Sequence, residues 1–447
     1  MKRLYEAPAY DTARWPDSWW RASVAAIPDH APLPGLAETE VAIIGAGVTG
    51  LNAALELAER FGTAATVLDA GQPGWGASGR NGGFACLGGA KIDDATILAR
   101  HGAEVLRAFH AFRMAGIDRV ADNLDRYRID ADRQPTGEIA LAHRPAAMAE
   151  LDREAALLSD VLGLETERLA PEALAERGLG PSVFHGGIRI GCGFGLHPLK
   201  YVLGLAGAAI AAGVKLHGQS PVTAIRPAGN RWRLETPQGS LTADRVILAT
   251  NGYTAEDIPP ALAGRVLPAF SSILVTRPLT TAERSAAGWQ SPLIAFDSRT
   301  LLHYFRLLPD GRFLFGMRGG LSARTGAQAA IRRMARRHLE ALFPAWAHVE
   351  TPYFWSGLIA LTWRLAPSIA ALPGRPGLFA ALGYHGNGVA AGSEAGRRVA
   401  RCAMGAEAAI PALLARPPAR FPLAPLRRAG LGAAYLRYRL ADGPVSA

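Results

Sequence analysis

The sequence predicts an α/β fold with two domains, and three observations lead to this prediction. An apolar segment at 41–44 leads into the glycine pattern 45–50, a helical stretch at 51–60 and a second apolar segment at 64–68. A later apolar segment, 377–382, again runs through glycines into a helical stretch. The chain has 447 residues, of which 49% are hydrophobic and 19% charged, so it can bury the cores of two or three domains.

The glycine pattern predicts a dinucleotide-binding turn between a strand and a helix. Gly45 permits the tight turn, Gly47 lets the backbone approach a pyrophosphate, and Gly50 lets the helix pack closely on the strand. The start of the helix then presents unpaired N–H groups and its positive end to the phosphates. Asp69 ends the second strand and is placed to accept hydrogen bonds from ribose hydroxyls. The other contacts predicted here are Val48, Thr49 and Ala70.

A second glycine-rich stretch, 74–84, predicts FAD rather than a nicotinamide dinucleotide. Its glycine, serine and asparagine residues offer many backbone N–H donors for a long polar ligand, and Arg80 adds a positive charge. A nicotinamide cofactor needs no second cradle of this kind, whereas the ribityl and isoalloxazine groups of FAD extend past the pyrophosphate. The contacts predicted in this stretch are Ala77, Ser78, Arg80, Asn81, Gly82 and Gly83.

The middle of the chain predicts strands that extend the same sheet. In chain order these are a helix at 198–212 opened by His197, strands at 214–217 and 221–226, a hairpin of 232–236 with 241–242, and an apolar strand at 245–250. The last strand ends at Asn251 and Gly252, and the strands complete a parallel sheet around the first unit. Val222, Thr250 and Gly252 are predicted to contact the cofactor.

The segment 377–389 repeats the order of strand, glycine-rich turn and helix. A helix beginning here could stabilise the anionic N1–C2=O edge of a reduced flavin with its N-terminus. The predicted contacts are Gly383, Gly386, Asn387, Gly388 and Val389.

The sequence therefore predicts a discontinuous, Rossmann-like FAD-binding domain of the glutathione-reductase type. The predicted divisions are 37–90, 181–255 and 352–410 for this domain, 91–180 and 256–351 for a second α+β domain, 1–36 for an N-terminal extension, and 411–447 for a C-terminal tail.

These motifs resemble the D-amino acid oxidase-like FAD-dependent oxidoreductases, and most closely the gamma-glutamylputrescine oxidoreductase subgroup. The resemblance covers nearly the whole chain and is carried by residues 17–20, 45–50, 77–83, 197–201, 248–253, 309–316 and 383–389.

The resemblance implies extended FAD and a substrate domain built on a mixed sheet. It also implies oxidation of an amine or amino acid C–N bond by hydride transfer to flavin N5, giving an imine that hydrolyses, with reoxidation by oxygen or another acceptor. Some members attach the flavin through a cysteine after the substrate domain. Because the corresponding stretch 355–362 has no cysteine or histidine, we predict non-covalent FAD.

Three residues are candidates for the catalytic site. On a predicted strand, alternation places His303 and Phe305 on one face and Tyr304 and Arg306 on the other. Tyr304 is predicted to line an amine pocket and Arg306 to meet a carboxylate, while a core tyrosine and a surface arginine are the alternatives. His385, in the last glycine loop, is predicted to face N5 or the pyrimidine edge of the flavin.

The net charge and the cysteine content bear on the functions that are alternatives to amine oxidation. A net charge of +10 is the only support for nucleic-acid binding, as in FAD domains that help modify transfer RNA, and no nucleic-acid partner is expected. A disulfide- or nicotinamide-linked reductase would need a redox cysteine pair or a second complete glycine pattern, and the sequence has neither. Residues 426–440 pair arginines with leucine and tyrosine, as an amphipathic helix does, which leaves a membrane-associated amine dehydrogenase open, without stable insertion. Three cysteines without ligand spacing predict no metal site and a cytoplasmic protein.

Overall fold

Two eight-stranded sheets organise the chain in the computed structural model, which describes residues 1–181 and 183–445. Residues 182, 446 and 447 lie outside the described residues, so the predicted segments 181–255 and 411–447 are assessed without them.

The strands, numbered in chain order, span the following residues. They are β1 (Gly35–Ile44), β2 (Ala65–Leu68), β3 (Phe84–Ala85), β4 (Glu138–Leu141), β5 (Thr166–Leu169), β6 (Gly187–Ile190), β7 (Phe194–Gly195), β8 (Lys215–His217) and β9 (Ala224–Ala228). They continue as β10 (Arg231–Glu235), β11 (Gly239–Leu248), β12 (Leu267–Val275), β13 (Ile294–Asp297), β14 (His303–Leu307), β15 (Phe313–Arg318), β16 (Tyr353–Leu361), β17 (Ser368–Ala371) and β18 (Leu378–Leu382).

The α-helices of the described residues lie before, between and after these strands. They are α1 (Trp19–Ala22), α2 (Val48–Phe61), α3 (Asp94–Arg126), α4 (Pro145–Leu162), α5 (Pro171–Glu176), α6 (Pro198–Ala211), α7 (Thr281–Ala286), α8 (Thr325–Leu342), α9 (Gly388–Ala403) and α10 (Arg427–Asp442). Within the part of the chain that the structure describes, no helix combines the length and the apolar character needed to cross a membrane.

The first sheet has the order β17-β18-β11-β1-β2-β8, with β10 and β9 attached beside β11. The four pairings from β18 to β8 are parallel, as the apolar strands and crossover helices predicted. The predicted strands 241–242 and 245–250 are wrong as separate elements, because both lie in the single strand β11. The polar residues Asp244 and Arg245 interrupt the apolar pattern without interrupting the backbone ladder.

The second sheet has the order β16-β12-β15-β14-β13-β4-β6-β5 and is mixed, because β13 and β4 pair in parallel whereas the other neighbours are antiparallel. Helix α8 covers one face, where Leu339 and Leu342 pack with Phe305 and Phe315. The opposite face turns toward the first sheet, and it is there that a substrate chamber can form.

Two strands near the predicted domain boundaries pair in this second sheet. Strand β6 pairs with β4 and β5, although it lies in the predicted segment 181–255. Strand β16 pairs with β12, although it lies in 352–410. The alternation of side chains marks a strand but does not identify its partner, so these boundaries could not be placed from the pattern. The predicted residue boundaries of the two domains stay predictions.

A continuous apolar core joins the two predicted domains. Helices α3 and α9 pack so closely that a Cβ on Gly116 would lie 2.7 Å from the carbonyl oxygen of Ala390. Phe109 and Phe112 of α3 belong to the same buried cluster as Val399 of α9. Glycine at position 116 is therefore a packing requirement that fixes α9, whose first residues border the site.

Candidate functional site

The turn between β1 and α2 has a geometry that only glycine tolerates. Gly45 has φ of 111°, and a Cβ there would lie 2.8 Å from the carbonyl oxygen of Ala249. A Cβ on Gly50 would overlap the carbonyl oxygen of Gly45. The turn therefore holds the first residues of α2 against the carboxyl ends of β1 and β11, the edge where open parallel sheets bind their ligands.

Asp69 stabilises this turn from the end of β2. Its carboxylate accepts hydrogen bonds from the Ala46 amide at 2.7 Å and the Gly71 amide at 2.8 Å. Burial raises the pKa of Asp69, and these two amides oppose that rise. A carboxylate oxygen has more than one lone pair, so Asp69 can still accept a ribose hydroxyl.

The second glycine loop lies directly over the start of α2. The Val48 amide donates to Ser78 Oγ at 3.0 Å, and Asn81 stiffens the loop through the carbonyl oxygens of Ala77 and Ser78. The second glycine loop and the start of α2 are thereby brought together on the wall of one cavity.

Arg80 holds the loop in position instead of lining the cavity. Its Nε donates to the carbonyl oxygen of Trp75 at 2.6 Å and its Nη1 to that of Ser356 at 3.3 Å, and the guanidinium lies 4.1 Å from the centre of the Trp75 ring. These contacts use its donors within the protein, so the predicted direct contribution of positive charge to the cofactor has no support in the geometry.

A cavity of about 990 Å³ runs between the predicted cofactor motifs. The predicted residues on its wall are Gly45, Gly47, Val48, Thr49, Asp69, Ala70, Ala77, Ser78, Asn81, Val222, Thr250, Gly386, Gly388 and Val389. The predicted residues that are not on this wall, within the described chain, are Gly50, Arg80, Gly82, Gly83, Gly252, Gly383 and Asn387. The volume and the helix starts of α2 and α9 on one wall fit an extended dinucleotide. The individual contacts stay predictions.

His385 lies in the loop before α9, with φ of 52° and a buried ring. His385 Nε2 lies 3.1 Å from Thr362 Oγ1 and 3.5 Å from the Thr362 amide nitrogen. His385 Nδ1 has no hydrogen-bond partner among the described residues. Burial, followed by Arg318 and Lys91, lowers the pKa of His385 to about 3. The ring is therefore neutral at pH 7.

Tyr304 lies across the space between the second glycine loop and the second sheet. Its ring meets the edge of Phe84 at 5.6 Å, and its hydroxyl is 2.9 Å from Ser271 Oγ. A Cβ on Gly82 would lie 2.9 Å from its ring. His303 lies on the opposite face and stacks on Phe315, as the alternation predicted. Burial raises the pKa of Tyr304 to about 12.

Arg306 is fully buried and bonded to protein acceptors. Nε donates to the carbonyl oxygen of Gly82 at 3.0 Å, Nη2 donates to that of Leu196 at 2.6 Å, and Nη1 donates to Gln134 Oε1. All three nitrogens are thus engaged, which argues against the predicted contact with a substrate carboxylate. The geometry instead makes Arg306 a positioning residue for the glycine loop.

Two cations near His385 were missed in the sequence. Arg318 ends β15 and donates from Nη2 to the carbonyl oxygen of His385 at 2.9 Å. No carboxylate within the described residues pairs with it. Repulsion from Arg318, together with burial, lowers the pKa of Lys91 to about 7. A single arginine in a strand carries no motif, so only the fold could reveal this pair.

The N-terminal extension also borders the cavity, which no sequence motif indicated. Arg3, Tyr10 and Arg14 lie on its wall together with the residues of the glycine turn. Further along, Trp20 is buried and donates from Nε1 to the carbonyl oxygen of Asn81 at 2.8 Å. The extension is therefore part of the site's architecture.

Comparison with known proteins identifies relatives over most of the chain. Residues 40–402 match the family described as FAD dependent oxidoreductase. The chain is 33% identical over 393 residues to the "Probable oxidoreductase OrdL" of Rhizobium meliloti, covering 87% of this chain and 88% of that one. It is 30% identical over 382 residues to the gamma-glutamylputrescine oxidoreductase of Escherichia coli, covering 84% and 87%. Glycine oxidase from Geobacillus kaustophilus has a similar fold, with a TM-score of 0.68, 22% identity, and coverage of 83% and 96%.

Proposed function

This chain belongs to the family of FAD-dependent oxidoreductases, and on that premise we propose that it oxidises the C–N bond of an amine that also carries a carboxylate. The family prediction made from the motifs is confirmed, as are the two-domain α/β fold class, the amine or amino acid oxidoreductase type and FAD as cofactor. The identity of the amine, hydride transfer to flavin N5 and reoxidation by oxygen or another acceptor belong to the proposal. So does non-covalent attachment, for which the lack of cysteine and histidine in 355–362 is the support.

The single observation that carries the proposal is the position of Arg318. Its guanidinium approaches Gly386, a residue of the cavity wall, so closely that a Cβ there would lie 2.7 Å from Nη2. Burial lowers the pKa of Arg318, and no carboxylate of the described residues compensates the charge. Arg318 is half-buried, and a half-buried guanidinium without a carboxylate partner is an attractive position for an anionic group of a ligand.

Lys91 also supports a substrate that carries a carboxylate. Repulsion between its ammonium and the guanidinium of Arg318 is the largest cause of its lowered pKa. A carboxylate placed between Lys91 and Arg318 would relieve their repulsion. Glycine and gamma-glutamylputrescine, the compounds named in two of the similar proteins, are both amines with a carboxylate.

The chain's own residues supply orientation and a dry environment in the proposed reaction. FAD, when bound, supplies the two-electron acceptor. Tyr304 stays protonated at neutral pH, because its pKa is about 12, so it lines the chamber and forms hydrogen bonds but does not act as a base. The amine must bind in its neutral form, its proton passing to water, so that the lone pair can assist loss of hydride from carbon. The resulting imine is hydrolysed by water to a carbonyl compound and an amine.

The first prediction concerns Arg318→Met. We expect the KM for amines with a carboxylate to rise roughly 10- to 100-fold, which is the effect of losing a hydrogen bond between charged groups. The flavin absorbance spectrum should stay unchanged, because Arg318 contacts the loop only through the carbonyl oxygen of His385. Anaerobic bleaching of the flavin with a panel of amines measures the change for amines with a carboxylate. The absorbance spectrum recorded before the amine is added shows whether the flavin site is intact.

Two further variants serve as controls for Arg318→Met. Arg318→Lys keeps the charge and should recover part of the lost affinity, while Arg332→Met, at an exposed position of α8, should behave as the wild type. Equal bleaching by amines with and without a carboxylate would contradict the assignment of Arg318 but leave amine oxidation intact. Failure of every amine to bleach the flavin would contradict the proposed reaction itself.

The second prediction concerns pH. Lys91 in the free protein is protonated below about pH 7 and neutral above it. Because a protonated Lys91 attracts a carboxylate, kcat/KM for such substrates should lose this contribution as pH rises through about 7. Lys91→Met should remove that inflection and resemble the high-pH limb at every pH. An inflection of the same size in the methionine variant would assign the titration to another group.

A further inference from the structure

Residues 1–14 run along the outer side of the cofactor cavity, and we refer to them as the N-terminal cover. We propose that this cover retains FAD in its site, and that an ion pair between Glu6 and Arg428 of the C-terminal helix keeps it closed. Both partners of the pair lie outside the matched family region 40–402. The inference depends on FAD as the cofactor and is independent of the substrate proposed above.

The cover presents polar and aromatic groups to the cavity. Arg3 and Tyr10 lie on the wall, with the guanidinium 4.7 Å from the centre of the Tyr10 ring. Arg3 also donates from Nη1 to the carbonyl oxygen of Tyr253, which is itself a wall residue. A dinucleotide pyrophosphate is anionic, so a wall that carries an arginine is complementary to it in charge.

The cover is anchored to the body of the protein on both sides of Glu6. Tyr5 is buried, with its hydroxyl donating to the carbonyl oxygen of Pro268 at 3.0 Å and its ring 4.8 Å from that of Phe270. Near its other end, Trp75 Nε1 donates to the carbonyl oxygen of Arg14 at 2.8 Å. Because Trp75 belongs to the second glycine loop, the cover is tied directly to a cofactor motif.

Glu6 is the point at which the two ends of the chain meet. Its carboxylate accepts from Arg428 Nη2 at 2.6 Å and from the Ala323 amide at 2.8 Å. Arg428 donates in addition to the carbonyl oxygen of Leu4 at 3.2 Å and lies 4.6 Å from the centre of the Tyr5 ring. The next residue, Arg427, is buried and pairs with Glu256. Helix α10 is thus a fixed support for the cover.

The enclosure implies movement of the cover when the cofactor enters or leaves. The glycine turn, the second glycine loop and the N-terminal cover all line the same cavity. The two side chains of the pair are 22% and 32% exposed, so water can compete for their charges when the cover opens. Loosening the pair should therefore raise the rate of FAD release before it unfolds the protein.

Lowering the pH should also weaken the ion pair between Glu6 and Arg428 and so raise the rate of FAD release. Burial alone would raise the pKa of Glu6, but hydrogen bonds from Arg428 and Ala323 lower it from 4.5 to about 2. A carboxyl group whose folded pKa is depressed contributes fully above its unfolded value and loses that contribution as pH falls toward the folded value. FAD retention should accordingly weaken between about pH 4.5 and 2 by a component that Glu6→Gln lacks.

The third prediction is the rate of FAD release from the intact holoprotein. We expect Glu6→Gln and Arg428→Gln each to accelerate release about tenfold, as expected for loss of a hydrogen bond between charged groups, and removal of residues 1–14 to accelerate it further. The rise of free-flavin fluorescence after dilution measures this rate. Arg437→Gln, at an exposed position of the same helix, should release FAD at the wild-type rate.

Two results would overturn the inference. One is release at the wild-type rate from the variant lacking residues 1–14. The other is an equal loss of thermal stability in the apo and holo forms of Glu6→Gln, which would make the ion pair a general fold contact. Slower tryptic cleavage after Arg3 and Arg14 in the holoprotein than in the apoprotein would support it, because a cover closed over FAD is protected.

Discussion

Replacing Gly50 with alanine is expected to abolish FAD binding. A Cβ at this position would overlap the carbonyl oxygen of Gly45 and approach Ile43 Cγ2 to 3.2 Å. Neither neighbour can yield, because the first is backbone in a turn with φ of 111° and the second belongs to the central strand β1. The start of α2 must then move off the sheet, which displaces the N–H donors from the phosphate site. We expect at least about 100-fold weaker FAD binding, measured by titrating the apoprotein.

A matched control separates this effect from a general glycine effect. Gly207 lies within α6, is exposed, and has nothing within 4 Å of its Cβ position. Gly207→Ala should therefore be neutral or stabilising by up to about 1 kcal/mol, because alanine is the better helix former. Wild-type FAD affinity in Gly50→Ala would show that the turn can relax, and the packing argument for the third glycine would fail.

The motifs that could be predicted are those in which backbone geometry dictates residue type. Gly45 and Gly50 are required by close backbone contacts, and such requirements are visible in a single sequence. The apolar strands β1, β2 and β18 were predictable for a similar reason, because a parallel strand buried on both faces is a continuous apolar run. The partners of β6 and β16 were not predictable, since pairing depends on contacts between distant parts of the chain.

The chamber next to the cofactor could be predicted only in outline. Alternation along β14 correctly separated Tyr304 from His303, but it could not show that Arg306 would meet three protein acceptors. Arg318 and Lys91 belong to no pattern, and they come together only because β15 and the segment before α3 meet at the loop of His385. The N-terminal cover carries no motif either, because its role depends on what it lies against.

Replacing Arg306 with leucine is expected to destabilise the protein by roughly 3–5 kcal/mol. The substitution leaves the carbonyl oxygens of Gly82 and Leu196 buried without their donor, together with the side-chain oxygen of Gln134. Each buried acceptor without a partner costs about 1–3 kcal/mol, whereas the leucine recovers only part of this through apolar contact. Because Gly82 belongs to the second glycine loop, FAD affinity should fall as well. The thermal unfolding midpoint of the apoprotein and an FAD titration measure the two effects separately.

Further variants decide whether Arg306 supports the second glycine loop or binds a substrate carboxylate. Arg306→Lys has donors but lacks the planar fork that reaches three acceptors, so it should recover only part of the stability. Arg333→Leu, at an exposed position of α8, should change the free energy of unfolding by less than about 0.5 kcal/mol. If Arg306→Leu instead unfolded at the wild-type midpoint and raised only the KM for amines with a carboxylate, Arg306 would be the substrate's partner, as its sequence position suggested. Loss of stability with equal effects on all amines would assign it to the support of the glycine loop and leave Arg318 as the group that meets the carboxylate.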